Sequence, residues 1–145
     1  MNFTDLEKDG LITKISINKK RVKESIALAK RDLNTAKSLV NNNPDWTFSI
    51  AYNSMLQSAR ALMFSMGYRP LGKAQHISAI RFAELVLGSK AKEIIMILDR
   101  MRRKRHRVVY DTSGLISMQE AKTAISNADK FLMLVEKELK KRKLI

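Results

Sequence analysis

The stretch Val22-Lys-Glu-Ser-Ile-Ala-Leu-Ala-Lys-Arg-Asp-Leu-Asn-Thr-Ala-Lys-Ser-Leu-Val40 carries the pattern that decides the fold. Its apolar residues recur at steps of four, three, four, three and four, beginning at Val22 and ending at Val40. Apolar residues with this spacing line one face of an α-helix, because the helix repeats every ~3.6 residues. The stretch therefore predicts an amphipathic helix over about residues 18–41, which packs through one face.

The same rhythm continues along the chain and is interrupted only by short polar or glycine-containing segments. Further helices are predicted at about residues 45–67, 77–88, 94–108 and 117–140. The last of them begins with Ser117-Met-Gln-Glu120, a capping-box sequence whose hydroxyl and carboxylate can each accept a hydrogen bond from an unpaired helix N–H. Short connections between long helices favour antiparallel neighbours. The predicted fold class is all-α, an up-and-down antiparallel helical bundle of four to five long helices.

A single domain is predicted. Residues 1–15 are expected to form a loose or short helical lead-in segment, and residues 16–145 one bundle domain. With 145 residues, 45% of them hydrophobic, the chain has the size and the apolar content for one core. No apolar run approaches the roughly 20 residues that span a bilayer, and the first residues do not resemble a secretory signal. We therefore expect a soluble, cytoplasmic protein without a membrane partner.

Composition excludes several kinds of active site. The chain has no cysteine, which excludes disulfides, thiolate metal sites and cysteine nucleophiles. It has two histidines, His76 and His106, so neither a multi-histidine metal site nor a His-rich active site is expected. No cofactor is predicted. The 28 Lys and Arg residues outnumber the 14 Asp and Glu residues, and the formal charge is +14. Such an excess favours an anionic partner, for example a nucleic acid.

The positive charge is concentrated in three places. The cluster at 19–23 has the composition of ordinary surface, and the cluster at 137–143 opposes the dipole at a helix C-terminus. The third cluster, Arg100-Met-Arg-Arg-Lys-Arg-His-Arg107, has six Lys or Arg residues in eight positions. This density predicts an anionic ligand, and a solvated face with extended side chains is the alternative that needs no ligand.

Helical spacing separates the side chains of this third cluster. Arg102, His106 and Tyr110 follow one another at i, i+4 and i+8, so they form one row if the helix reaches Tyr110. Arg105 instead falls on the apolar stripe of the helix. A guanidinium on that stripe is expensive unless it is paired or lies at an interface. Arg105 is therefore the residue of this cluster that points most strongly to a function.

The segment Gly67-Tyr-Arg-Pro-Leu-Gly-Lys-Ala74 nearly matches the phosphate-binding loop pattern G-x-x-x-x-G-K-[ST]. That loop follows a β-strand, cradles phosphates with its backbone amides and holds magnesium with its final Ser or Thr. Here a predicted helix precedes the segment, Pro70 removes one amide, and Ala74 cannot bind a metal. The segment is therefore predicted to be a plain loop between two helices.

Two stretches give the chain its resemblance to a known family. They are Ser49-Ile-Ala-Tyr-Asn-Ser-Met-Leu-Gln-Ser-Ala-Arg-Ala-Leu-Met-Phe-Ser-Met-Gly-Tyr-Arg-Pro70 and Arg102-Arg-Lys-Arg-His-Arg-Val-Val-Tyr-Asp111. With them, the chain resembles the HEPN domains over about residues 18–139; these are small all-helical proteins of prokaryotic toxin–antitoxin and RNA-processing systems. The resemblance implies a homodimer in which the motifs of two subunits face one another, and contact with RNA or a nucleotide. It also implies a possible partner, because many relatives dock a small nucleotidyltransferase.

Nuclease members of this family carry an Arg, a few intervening residues and then a His, and they cleave RNA without a metal. Two alignments of this chain with that motif stay open. In the first, Arg105 is the motif Arg, His106 is its polar neighbour, and Tyr110 stands at the His position. In the second, Arg100 pairs with His106, and Met101 stands where a polar residue is usual. The first is preferred because Arg-His-Arg-Val-Val-Tyr-Asp matches the family on both flanks.

The alignment decides what catalysis can be expected. In the first, a Tyr with a pKa near ~10 is a poor general base at neutral pH, although it can bind a phosphate or stack on a base. In the second, His106 is the acid/base and Arg100 holds the phosphate. The residues predicted to bind RNA phosphates are Arg102, Arg103, Lys104 and Arg107. The chain is therefore expected to contact RNA or a nucleotide, with a metal-independent endoribonuclease and a non-catalytic nucleotidyltransferase partner as alternatives.

Overall fold

The computed structural model describes residues 2–110 and 113–145. Its helices are Phe3–Lys8 (α1), Lys19–Leu39 (α2), Pro44–Ser65 (α3), Gln75–Leu87 (α4), Lys92–Tyr110 (α5) and Met118–Lys141 (α6). Two short antiparallel strands are Ile12–Lys14 (β1) and Tyr68–Pro70 (β2). A single turn of 3-10 helix over Gly88–Ala91 joins α4 to α5. The predicted all-α bundle is confirmed, and α2, α3, α5 and α6 are its long helices.

Helix α3 lies at the centre of the bundle, where it packs against α2, α4, α5 and α6. Fourteen of its 22 residues are buried, many of them Ala or Ser, and such small side chains let neighbouring helices approach closely. The Ser54 hydroxyl donates a hydrogen bond to the Ala29 carbonyl of α2 at 2.7 Å. Ser58 donates to the carbonyl of Ser54 at 3.0 Å. Ser54 and Ser58 thus find partners inside the protein, whereas the buried hydroxyls of Thr47 and Ser49 on the same helix have none among the described residues.

Polar residues cap the beginnings of α3 and α6. Asn43 accepts a hydrogen bond from the Trp46 backbone N–H at 3.1 Å and starts α3. Ser117 accepts from the Glu120 backbone N–H at 3.0 Å and starts α6, which is the hydroxyl half of the predicted capping box. The Glu120 carboxylate does not complete the box among the described residues; it accepts a hydrogen bond from the Lys104 ammonium, which ties the start of α6 to α5.

The connection from α5 to α6 is anchored on α3. The Asp45 carboxylate accepts hydrogen bonds from the backbone N–H of Gly114 at 2.7 Å and of Ile116 at 3.1 Å. The first half of the predicted closing turn 111–114 lies outside the described residues. Within residues 2–110 and 113–145, no helix has both the length and the apolar character needed to cross a membrane.

The N-terminal lead-in is more ordered than a loose segment. The short helix expected within residues 1–15 is present as α1, and the strand β1 that follows it was not predicted. Leu6 and Ile12 are fully buried, so the lead-in packs on the bundle. The prediction of a plain loop at 67–74 was wrong, because Tyr68–Pro70 pairs with β1. A three-residue strand is too short to show the alternation by which strands are recognised.

Gly67 joins α3 to β2 at a point where two segments almost touch. Its φ of +78° lies in the left-handed region, which side chains other than glycine rarely adopt. A Cβ atom here would lie 2.9 Å from the Ile15 carbonyl oxygen. The Gly67 carbonyl also accepts a hydrogen bond from the Ile15 N–H at 2.8 Å. The absence of a side chain therefore allows the lead-in to pair with the end of α3.

We expect Gly67→Ala to lower the free energy of unfolding by about 2 kcal/mol or more, because the left-handed backbone and the contact with Ile15 are both unfavourable for alanine. Gly10→Ala is the matched control: its φ is +71°, but nothing lies within 4 Å of the added Cβ. It should lose only about 1 kcal/mol. Urea denaturation measures both, and equal losses in the two variants would contradict the role of the close approach.

Candidate functional site

The second half of α5 leaves the hydrophobic core. The buried residues of this helix all belong to its first half and are Ile94, Ile95, Leu98 and Met101. From Arg102 onward every described residue of α5 is at least partly exposed. The helix continues to Tyr110, so the predicted row of Arg102, His106 and Tyr110 exists, and the ring centroids of His106 and Tyr110 are 4.9 Å apart.

A cavity of about 510 Å³ opens between this half of α5 and the beginning of α4. The described residues that line it are Lys73, Ala74, His76, Ile77, Arg102, Arg103, Arg105, His106 and Tyr110. Four of these carry a positive charge at neutral pH, and none is Asp or Glu. A cavity with cationic walls and no carboxylate in its lining is suited to an anion.

Arg105 lies at the inner side of this cavity, against α3. Its guanidinium carbon is 5.6 Å from the centroid of the Tyr52 ring, which is a cation–π distance. Its Nε atom is buried and has no hydrogen-bond partner among the described residues. The cation–π contact offsets part of the cost of burial, but an unpaired buried N–H remains unfavourable. An anion in the cavity would supply the missing partner.

Tyr52 connects the core to the cavity. It is fully buried on α3, and its hydroxyl oxygen lies 2.9 Å from Nδ1 of His76 on α4. The two rings are stacked, with their centroids 5.7 Å apart. Burial raises the pKa of Tyr52 to about 12, even though Arg105, Arg102 and Arg60 favour the phenolate. The hydroxyl is therefore protonated at neutral pH.

His76 is neutral at neutral pH. Burial lowers its pKa, and the nearby charges of Arg105, Arg60 and Arg102 lower it further. Burial also lowers the pKa of the Arg60 guanidinium, while Tyr52 acts in the opposite direction. The positive charge around the base of the cavity therefore comes from arginines and not from the imidazole.

Part of the positive charge is balanced at the edge of the cavity. Arg102 Nε donates a hydrogen bond to Asp99 Oδ1 at 3.1 Å, and Arg103 Nη2 lies 3.4 Å from Asp99 Oδ2. Among the described residues, Arg105 has no such carboxylate partner. Exposed ion pairs contribute little free energy, so Asp99 leaves Arg103 able to reach a ligand.

Five of the eight predicted site residues line this cavity, and three do not. Arg102, Arg103, Arg105, His106 and Tyr110 line the same cavity.

The other three predicted residues lie elsewhere. Arg100 and Lys104 line a groove of about 430 Å³ between α5 and α6, and Arg107 is exposed. Arg100 also lines, with Arg102 and Arg103, a cavity of about 470 Å³ between α4 and α5. The Arg100–His106 pair of the second alignment is thus split between two faces of α5, because six residues turn a helix through roughly 240°.

Several residues around the cavity were not predicted. Tyr52 lies within the helix predicted at 45–67 and was given no functional role, and His76 was counted without being given one. The two are separated by 24 residues, so their contact depends on how α3 packs against α4. The one available signal was chemical, since a buried Tyr hydroxyl needs a partner. Lys73, in the segment taken for a plain loop, also lines the cavity.

The structure is an all-α bundle with a cavity at the end of one helix, lined by cations and by no described carboxylate. A sequence profile of the HEPN domain matches residues 22–139, and the chain therefore belongs to the HEPN domain family, which confirms the predicted resemblance. No curated protein is similar enough to match this chain. The chain is similar in structure to the protein TT1696 from Thermus thermophilus, known from a crystal structure. The TM-score is 0.64 with 19% identity, over 82% of this chain and 98% of that one, a likeness that shows the fold alone.

The lowered pKa of His76 predicts a pH-dependent stability. The unfolded chain binds a proton at this histidine near the ordinary pKa of 6.5, and the folded protein binds it less tightly. Protonation therefore favours the unfolded state. We expect the free energy of unfolding to fall as the pH drops below about 6.5, until the pH reaches the folded-state pKa of His76. The His76→Gln variant cannot titrate at this position and should lose this part of the pH dependence.

Urea denaturation at a series of pH values measures this effect. His106→Gln is the matched control, because His106 is exposed and its replacement leaves His76 in place. The explanation fails if His76→Gln keeps the pH dependence of the wild-type protein while His106→Gln removes it.

Proposed function

We propose that this HEPN protein binds RNA or a nucleotide through the cavity at the end of α5, as a cytoplasmic component of a toxin–antitoxin or RNA-processing system. One observation carries the proposal: Arg105 lies in a cavity lined by cations and by no described carboxylate, with its buried Nε unpartnered. Such an arrangement is unfavourable for folding alone, and a phosphate oxygen would complete it. The net charge of +14 adds long-range attraction for a polyanion.

Aromatic side chains beside the arginines favour a nucleotide over a simple anion. Tyr110 is 70% exposed, and its ring lies against that of His106. Bases stack on such exposed rings, and each stacked base contributes about 1–3 kcal/mol. A base on Tyr110 would leave its phosphate near Arg102 and Arg105, which line the same cavity. The combination of charge and aromatic surface supports single-stranded RNA as the ligand.

The proposal includes a homodimer in which two cavities face each other. Exposed apolar residues next to the cavity support it: Trp46 is 56% exposed and shares a recess with Val109, which is 38% exposed and adjoins Tyr110. A second copy over this patch would remove apolar surface from water, which is favourable.

We expect light scattering to give the mass of a dimer for the wild-type protein, and a monomer for Val109→Glu, because a carboxylate in the apolar contact is unfavourable. Met133→Glu is the matched control, since Met133 is an exposed apolar residue of α6, 64% exposed, outside this patch. It should remain a dimer. A monomeric wild-type protein at all concentrations would contradict this part of the proposal.

A metal-independent endoribonuclease is the second candidate, and it is favoured by His106 and Arg105 lining one cavity. Cleavage needs a group that moves a proton and a cation that stabilises the phosphate, which these residue types supply. Tyr110 stands where the nuclease motif has His in the preferred alignment. The third candidate, a non-catalytic partner of a small nucleotidyltransferase, requires no RNA.

We expect the wild-type protein to bind labelled single-stranded RNA in EDTA without cleaving it, with an affinity that falls steeply as salt is raised. Arg105→Met keeps the aliphatic volume and removes the charge, so binding should weaken about tenfold. Lys37→Met is the matched control, because it removes one exposed charge from the last turn of α2 and Lys37 does not line the cavity. It should change the affinity by no more than about twofold.

Fluorescence polarisation over a series of salt concentrations and gel analysis of the same samples give both readouts. RNA cleavage in EDTA that His106→Ala abolishes would favour the ribonuclease. No binding at low salt would contradict both RNA functions and leave the partner role. Equal losses in Arg105→Met and Lys37→Met would show that net charge, not the cavity, holds the RNA.

A further inference from the structure

The base of the cavity contains a hydrogen-bonded pair that the proposed function does not use. His76 lines the cavity, and its Nδ1 lies 2.9 Å from the Tyr52 hydroxyl oxygen. The other ring nitrogen, Nε2, makes no hydrogen bond with a described residue and is not among the buried unpartnered atoms. Nε2 is therefore open to the cavity.

The direction of the Tyr52–His76 hydrogen bond follows from the surroundings of the hydroxyl. Tyr52 is fully buried, and among the described residues His76 Nδ1 is the only hydrogen-bond partner of its oxygen. A buried hydroxyl proton needs an acceptor, so Tyr52 donates and Nδ1 accepts. A neutral imidazole that accepts at Nδ1 carries its proton on Nε2. His76 therefore presents an N–H donor to the cavity.

The neutral form of the His76 imidazole is also favoured by the charges around it. A protonated His76 would place another cation beside Arg105, Arg60 and Arg102. It would also turn Nδ1 into a donor and leave the Tyr52 proton without an acceptor among the described residues. Both effects disfavour the imidazolium. Burial and the neighbouring arginines thus keep His76 neutral, and the Tyr52 hydroxyl fixes which of its nitrogens carries the proton.

We propose that His76 Nε2–H and the Arg105 guanidinium together bind the oxygens of one phosphoryl group at the base of the cavity, and that Tyr52 is the positioning residue for His76. The inference rests on the proposed function and names the chemical group that its site recognises. A cation and a neutral donor that line one cavity match an anion with several acceptor oxygens. The phosphoryl group comes from an RNA backbone, from an RNA end or from a free nucleotide.

The tautomer is tested on the wild-type protein by long-range ¹⁵N–¹H correlation NMR of the imidazole rings at neutral pH. The chain has two histidines, so the spectrum of His106→Gln assigns the signals of His76 directly. We expect the Nε2–H tautomer for His76, and a mixture of both tautomers in Tyr52→Phe. A change in packing alone would not produce that mixture. An Nδ1–H tautomer in the wild-type protein would overturn the proposal.

Binding is tested with two substitutions at His76 that differ in one property. His76→Leu keeps much of the volume and removes the donor, and we expect about tenfold weaker binding. His76→Gln keeps an N–H donor near the position of Nε2 and should stay within about threefold of the wild-type affinity. Thermal unfolding of each variant confirms that it is folded. Equal affinities of His76→Leu and the wild-type protein would overturn the proposal.

Three probes distinguish the sources of the phosphoryl group: an oligoribonucleotide without terminal phosphates, the same oligonucleotide with a 5′-phosphate, and inorganic phosphate, which is followed by the His76 ¹⁵N shifts. Equal binding of both oligonucleotides, weakened in His76→Leu, assigns the site to the backbone. A gain from the 5′-phosphate that His76→Leu removes assigns it to the RNA end, and binding of inorganic phosphate without either oligonucleotide assigns it to a small phosphate-bearing ligand and not to RNA.

The same measurements separate failure of this inference from failure of the proposed function. If RNA binding falls in Arg105→Met but not in His76→Leu, the inference is wrong and RNA binding stands. If inorganic phosphate shifts the His76 signals and RNA does not bind, the phosphoryl site stands and the RNA function is wrong. If the wild-type protein binds none of the three probes, both are wrong.

Discussion

The enclosure of α3 by four other helices is the constraint on which the rest of the structure depends. A polar group on a helix surrounded in this way is removed from water and costs free energy unless the protein supplies a partner. Ser54 meets this requirement with a carbonyl of α2, and Tyr52 meets it with His76. The hydrogen bond between Tyr52 and His76 places the first turn of α4 beside α3 and fixes one wall of the cavity. A requirement of the core thereby positions a group of the candidate site.

The first half of α5 packs in the core, and its second half lines the cavity. Its apolar stripe holds the helix in the core as far as Met101, and on the next turn the same stripe carries Arg105. Because Arg105 remains on the face that points to the protein, its guanidinium lies over Tyr52 and not in open solvent. The cost of that placement is a buried N–H without a protein partner. A ligand oxygen that accepts a hydrogen bond from this unpartnered N–H gains more binding free energy than one that contacts donors already paired within the protein.

Features set by residues close together in the sequence could be predicted, and features set by contacts between distant segments could not. The stripe over 22–40 predicted a helix at about 18–41, and the structure has α2 at Lys19–Leu39, because helix periodicity repeats within a few residues. The anomaly at Arg105 was visible for the same reason. The strands β1 and β2 were missed because each is only three residues long and each forms only where the lead-in meets the end of α3. The alignment with Arg100 could be judged only once the cavity was known, since both alignments suit one basic helix.

The amino-acid sequence by itself determined the all-α class, the stripes that bury one face of each helix, and the basic end of α5 with an arginine on its apolar face. These are local properties, set by residues three and four positions apart on one helix. The tertiary structure alone decided that Tyr52 meets His76, that Arg105 covers this pair, and that Lys104 turns away to Glu120. Such contacts join residues on different helices, and they depend on how the helices pack, which no local spacing specifies.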